Sequence, residues 1–153
     1  MSGLPVFAKG VMCKEDARLA MEAGIDGIYV SNHGARQLDT TPATIEVLKE
    51  IVDEVEKYSR EKGVPKTPVW FDGGIRHGSD ILKALALGAD LVWIGRPVLW
   101  GLACEGQKGV ENIIRIFNDE LKEAMLQCGC YNLEDVRKKK ILYDQSELVF
   151  PKL

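Results

Sequence analysis

The chain has 153 residues, 46% of them hydrophobic and 28% charged, which is ordinary for a globular domain with its own core. A net charge of −3 gives no electrostatic reason to expect nucleic acid or an anionic membrane as a partner. Four cysteines and two histidines lack the spacing of a zinc site, so Cys13, Cys104, Cys128 and Cys130 read as reduced thiols of a reducing compartment.

In chain order, Val6–Ala8 is the first apolar run and reads as a buried strand. Lys14–Ala23 follows, with Ala17, Ala20 and Met21 on one helical face. Gly27–Val30 is a second strand. Thr41 and Pro42 supply an N-cap and a first-turn proline for a long helix that buries Ile45, Leu48, Val52 and Val55 and stops near Gly63. Val69–Phe71 is a third strand, and Ser79 caps a helix that Gly88 closes. Leu91–Ile94 is a fourth strand. The last helix, Lys108–Gln127, carries Val110, Ile113, Ile114, Phe117, Leu121, Ala124 and Met125 at helical spacing and ends before Gly129, which Cys128 and Cys130 flank.

Strands alternating with helices predict a parallel sheet joined by right-handed crossovers. The stretch Gly24–Ser31 aligns with Gly88–Gly95 as a faint internal repeat. No Pro- or Ser-rich linker divides residues 1–153, which read as one domain or part of one. Ile81–Ile94, the most apolar stretch, carries Lys83 and Asp90 and is too short to span a bilayer; the N-terminus lacks the pattern of a secretion signal. Arg137–Lys140 reads as a solvated basic tail, with no aromatic residues interleaved. Pro151-Lys152-Leu153 is similar to a Ser-Lys-Leu peroxisomal address, with proline in place of serine; peroxisome or cytoplasm are the compartments expected.

Chemistry in such folds gathers where strands end. Here the four ends read Lys9-Gly10, Ser31-Asn32-His33-Gly34-Ala35-Arg36, Asp72-Gly73-Gly74-Ile75-Arg76 and Gly95-Arg96-Pro97. Glycines let backbone amides approach an anion, and Arg76 and Arg96 add charge-assisted hydrogen bonds, a pattern suited to phosphate. Lys9, read as a buried amine, wants either an anionic cofactor or a carboxylate on a neighbouring strand. His33 titrates near working pH and suits a base, although a histidine alone is more often structural. Arg36 offers a planar fork to a carboxylate. A base beside a carboxylate clamp, opposite a phosphorylated cofactor, points to oxidation of, or proton abstraction from, a small organic acid.

The string SNHGARQLD, with AKG upstream and DGGIRHGSD and GRP downstream, resembles the FMN-dependent α-hydroxy acid oxidases and dehydrogenases, such as glycolate and lactate oxidase. The resemblance covers essentially the whole chain. It implies strands five to eight of a (β/α)8 TIM barrel, with the first four strands lying outside it. By resemblance, His33 is the active-site base and Arg36 holds the substrate carboxylate. Lys9 and Ser31 meet the flavin ring, while Asp72, Gly73, Gly74, Ile75, Arg76, Gly95 and Arg96 take the ribityl and phosphate parts of FMN. His77 is expected to face solvent with no catalytic duty. The implied reaction oxidises a small (S)-2-hydroxy acid to a 2-oxo acid and passes electrons to O2, giving H2O2, or to another acceptor. A four-stranded portion has open sheet edges, so a homo-oligomer or a complementary N-terminal half is the expected partner. Two rival readings are a non-catalytic FMN-binding half-barrel and an FMN barrel acting on a phosphorylated substrate.

Overall fold

A computed structural model describes residues 3–143; Pro151-Lys152-Leu153 lies outside the described residues. Four strands, β1 (Phe7–Val11), β2 (Gly27–Val30), β3 (Val69–Phe71) and β4 (Leu91–Val92), form one parallel sheet in the order β1-β2-β3-β4. Helices α1 (Lys14–Glu22), α2 (Thr44–Lys62) and α3 (Gly78–Ala86) make the crossovers. After β4 come α4 (Arg96–Glu105), α5 (Gln107–Gln127) and α6 (Leu133–Lys138). Neither α4 nor α6 was expected from periodicity. No helix among the described residues is long and apolar enough to cross a membrane.

The alternation of side chains along each strand divides the sheet into two unlike faces. Ile28, Val30, Val69 and Phe71 point at the helices and are fully buried against Leu48, Ile51, Val52 and Val55 of α2, joined by Ala17 and Met21 of α1. The opposite face carries Phe7, Tyr29, Trp70 and Trp93. Phe7 stacks on Trp70 with centroids 3.7 Å apart, and Trp93 lies 5.4 Å from Trp70 and 6.2 Å from Tyr29. No helix of the described residues lies over these rings, and Trp93 remains 43% exposed. The expectation of strands buried on both faces therefore holds for one face only.

Several sequence expectations shift by a residue or more. The long helix begins at Thr44, not at Thr41: Ala43 is the N-cap, and the Glu46 carboxylate accepts the Ala43 N–H at 2.9 Å. Thr41 instead donates its hydroxyl to Leu38 O at 3.4 Å. Helix α3 is capped by Asp80, whose carboxylate accepts the amides of Arg76 and His77, each at 3.0 Å; Ser79 lies inside the helix. The basic run is not a loose tail. Arg137 and Lys138 end α6, Arg137 reaches Asp90 at 3.3 Å, and Lys139 donates to Gly129 O. Cys130 is buried beside Leu82, Leu85 and Val136, whereas Cys128 is exposed, and all four cysteines are free thiols.

Helices α4 and α5 meet at their glycines. A Cβ added to Gly109 would lie 1.8 Å from Gly101 O, and one added to Gly101 would lie 2.5 Å from Gly109 O. The two backbones are in contact, which only residues without a side chain permit.

Candidate active site

Parallel strands that share a direction bring all four polar ends to one edge of the sheet. Lys9 lies within β1 rather than after it, and it is 42% exposed instead of buried. Its ammonium donates to Ser31 Oγ at 2.8 Å, sits 3.5 Å from Asp72 Oδ2 and lies 5.0 Å from the Tyr29 ring centroid. A carboxylate partner is therefore present, just past the end of β3, two strands away and not on the adjacent strand. Ser31 is itself buried and accepts the His33 amide at 3.1 Å. Lys9, Ser31, Asp72 and the backbone of His33 thus form one connected group. Burial, reinforced by the neighbouring Asp72 carboxylate, raises the Tyr29 phenol above its ordinary range, so it stays neutral beside this group.

The segment after β2 turns sharply through the left-handed region: His33 has φ 56°, Gly34 70° and Ala35 58°. For residues with a Cβ this conformation carries strain on the order of 1 kcal/mol or more each. Hydrogen bonds offset it. The Ala35 amide donates to both Asn32 O at 3.0 Å and Asn32 Oδ1 at 3.1 Å, and Arg96 donates to Gly34 O at 2.6 Å. His33 and Arg36, on this turn, both have exposed side chains.

After β3, Gly73 adopts φ 102°. A Cβ there would come within 2.6 Å of Thr44 Oγ1 and 3.4 Å of Asn32 Oδ1, so the loop closes against the β2 turn only because position 73 is glycine. Ile75 is buried in the core and offers a site its backbone alone, while Arg76 is exposed. Gly95 and Arg96 form the N-terminus of α4, with Pro97 inside its first turn, and α3 begins just after Arg76. Both helices turn their positive ends toward this edge of the sheet. A cavity of about 440 Å³ opens here, lined by Asn32, Gly34, Thr44, Gly73, Gly74 and Arg96 among others.

This donor set fits a phosphorylated, polyhydroxylated ligand. Asp72 Oδ1 is buried with no hydrogen-bond partner, an acceptor suited to a hydroxyl. Around Gly74 and Gly95 a Cβ would meet nothing within 4 Å, so backbone amides there are open to an approaching anion. His77 is exposed, with Nδ1 3.8 Å from Glu120, and lies outside this cavity.

The sequence model of the family described as FMN-dependent dehydrogenase matches residues 1–143. The chain belongs to that family. Its members depend on FMN. The chain is 50% identical to human 2-hydroxyacid oxidase 1 over 138 residues, covering 90% of this chain and 35% of that protein. With L-lactate oxidase of Lactobacillus jensenii it shares 54% identity over 141 residues, 92% of this chain and 33% of the relative. Glycolate oxidase 1 of Oryza sativa subsp. indica is 46% identical over 155 aligned positions, which cover all of this chain and 40% of that enzyme. The crystal structure of a Pediococcus acidilactici lactate oxidase superposes with TM-score 0.83 at 46% identity, over 93% of this chain and 38% of that one. Mandelate oxidase with benzoyl-formic acid gives TM-score 0.81 at 46% identity, over 90% and 38%. The four β/α units are therefore a section of the TIM barrel of these FMN-dependent oxidases, and the chain spans roughly a third to two fifths of its relatives' length.

Sequence reasoning placed His33, Arg36, Lys9, Ser31, Asp72 and Arg96 at one edge of the sheet, where the structure has them. It missed Asn32, Thr44 and Tyr29. An asparagine next to a Gly-containing turn is a recognisable signal, because its side chain mimics a backbone turn. The contacts of Thr44 and Tyr29 cross between elements and leave no trace in spacing.

Proposed function

We propose that this chain carries the base, the substrate clamp and most of the cofactor cradle of an FMN-dependent 2-hydroxy acid oxidase. The carrying observation is the unpartnered Asp72 oxygen beside Lys9, at the edge of the sheet where the glycine-rich loop after β3 and Arg96 border the cavity. In this reading the amides of Gly73, Gly74, Ile75 and Gly95, with Arg76 and Arg96, take the phosphate and ribityl parts. Asp72 accepts from a ribityl hydroxyl. Ser31 and Lys9 meet the ring, and the ammonium offsets the negative charge a flavin ring gains on reduction. FMN, when bound, supplies the two-electron acceptor.

The protein residues do the rest. Arg36 holds the carboxylate of the 2-hydroxy acid through its two parallel donors, which fixes the reacting carbon in place. His33 removes a proton as the substrate becomes a 2-oxo acid. Two electrons and two protons leave the substrate, and with O2 as final acceptor they leave as H2O2. The rest of such a barrel, or a second copy of this chain, would cover the aromatic face.

The open face and the exposed Lys9 favour a second reading, a module that binds FMN without turnover. One experiment separates the two. The purified chain is titrated with FMN and followed by flavin absorbance, then glycolate or lactate is added without oxygen. Binding with bleaching supports the oxidase; binding without bleaching leaves the module; absence of binding means that the cradle needs the remaining strands.

A further inference from the structure

The turn that carries His33 and Arg36 does not hold itself. Its left-handed residues would relax in a free peptide, and the restraints that prevent this come from three side chains. Ser31 accepts the His33 amide, Arg96 donates to Gly34 O, and Asn32 Oδ1 shares the Ala35 amide with its own backbone oxygen. Ser31 and Arg96 are already assigned to the cofactor. Asn32 is not, and its side chain links the turn to a second segment of the chain. Its Nδ2 donates to Pro42 O at 3.5 Å, in the segment that leads into α2. Its Oδ1 also faces Gly73 closely enough that a Cβ there would stand 3.4 Å away. One side chain therefore bonds both the catalytic turn and the approach to the long helix, and it lies beside the space that a side chain at position 73 would fill.

We propose that Asn32 is the positioning residue of the reaction: its side-chain amide fixes the left-handed turn that presents the His33 imidazole and the Arg36 guanidinium together. This rests on the oxidase reading for its chemical consequence, though not for its structural one. Asn32 touches neither reacting group. It acts through Oδ1, which accepts the amide of Ala35 between the base and the clamp. Misplacement of such a pair by about an ångström suffices for a rate loss on the order of a hundredfold.

The test compares the full chain with its Asn32→Ala and Asn32→Asp variants. Aspartate keeps an acceptor for the Ala35 amide and alanine does not. Amide hydrogen exchange at Ala35 comes first, because it needs no flavin. Loss of one hydrogen bond predicts exchange about tenfold faster in Asn32→Ala and within about threefold of wild type in Asn32→Asp. FMN titration follows, because Asn32 lines the cavity beside the glycine loop, and the later steps are read at saturating FMN in every variant. Oxalate, a small carboxylate probe for Arg36, is then added to the FMN-loaded proteins. Its perturbation of the flavin spectrum should need about tenfold more oxalate in the alanine variant and recover with aspartate. Flavin reduction by glycolate should slow about a hundredfold in Asn32→Ala, again with recovery in Asn32→Asp.

Unchanged Ala35 exchange in the alanine variant overturns the proposal. So does Ala35 exchange in Asn32→Asp as fast as in Asn32→Ala, or oxalate binding at saturating FMN that is unchanged in Asn32→Ala. If the wild-type chain binds FMN and is not bleached, the oxidase reading fails; if it binds none, the cradle needs the remaining strands; in both cases the exchange measurement still decides Asn32.

Discussion

The two faces of the sheet are built from the same strands and end in opposite conditions. Toward the helices, Ile28, Val30, Val69 and Phe71 are at 0% exposure, packed by α1 and α2 from the same chain. Toward the other side, Phe7, Tyr29, Trp70 and Trp93 cluster with one another and stay partly open, and Lys9 and Asp72 stand at the rim of that surface. The first face supplies stability; the second, with the strand ends, supplies the groups assigned to binding and chemistry. Stability and function are thus drawn from alternate residues of each strand.

The largest effect separates the faces directly. Phe71→Ala should cost about 3–5 kcal/mol and unfold much of the population, whereas Trp93→Ala should cost about 1 kcal/mol or less, both read from urea midpoints. Equal losses would mean that the aromatic face is covered in solution. Next, replacement at the functional edge should spare the fold. His33→Ala is expected to slow flavin reduction by substrate by about 10²–10⁴-fold while FMN binding persists, and normal reduction would remove the base assignment. His33→Gly, which relieves the left-handed φ, should raise stability by about 0.4–1 kcal/mol. Arg36→Lys should raise the substrate concentration needed for half-maximal reduction by about tenfold or more, since a point charge replaces a planar fork; an unchanged requirement would discard the clamp.

The smallest effect belongs to the helix layer. Arg18 of α1 pairs with Glu54 and Glu61 of α2, and its hydrogen bond to Glu61 holds that carboxyl below the usual range. A lowered folded pKa stabilises at pH values above the ordinary glutamate value and ceases to do so as pH falls through the folded one. Arg18→Ala should therefore lower the urea midpoint slightly at pH 7, and by progressively less as pH falls below the ordinary glutamate range. A difference that does not shrink at all as the pH falls would place the contribution of Arg18 in its stacking on Tyr58, at 5.6 Å, and not in charge.

Apolar runs flanked by glycine made the strands legible, and the polar residues at their ends made the location of the site legible. What escaped has physical causes. Helix α4, with Pro97 near its start and Gly101 at a contact point, has almost no sided pattern to read. Helix α6 hid because Arg137 and Lys138 look like solvent until Asp90 and Glu134 are seen beside them. The start of α2 was misplaced because Thr41 looks like a cap, whereas Glu46 reaches back to cap from within the helix. In the site, residue types were readable and restraints were not. That His33 and Ala35 are left-handed, and that Asn32 reaches Pro42, are properties of chain path.

The contact of Gly101 with Gly109 bears on the other end of the cradle. Arg96 opens the same helix that Gly101 anchors, and α5 in turn lies along α3, with Gly78 against the backbone of Glu120 and Leu121. Two points of bare backbone contact thus splice three helices into a single truss, and the first residues of α3 and α4 are its ends. A methyl group added at Gly101 or Gly109 would force the truss to splay. The displacement would surface five positions away from Gly101, at the arginine that braces the catalytic turn.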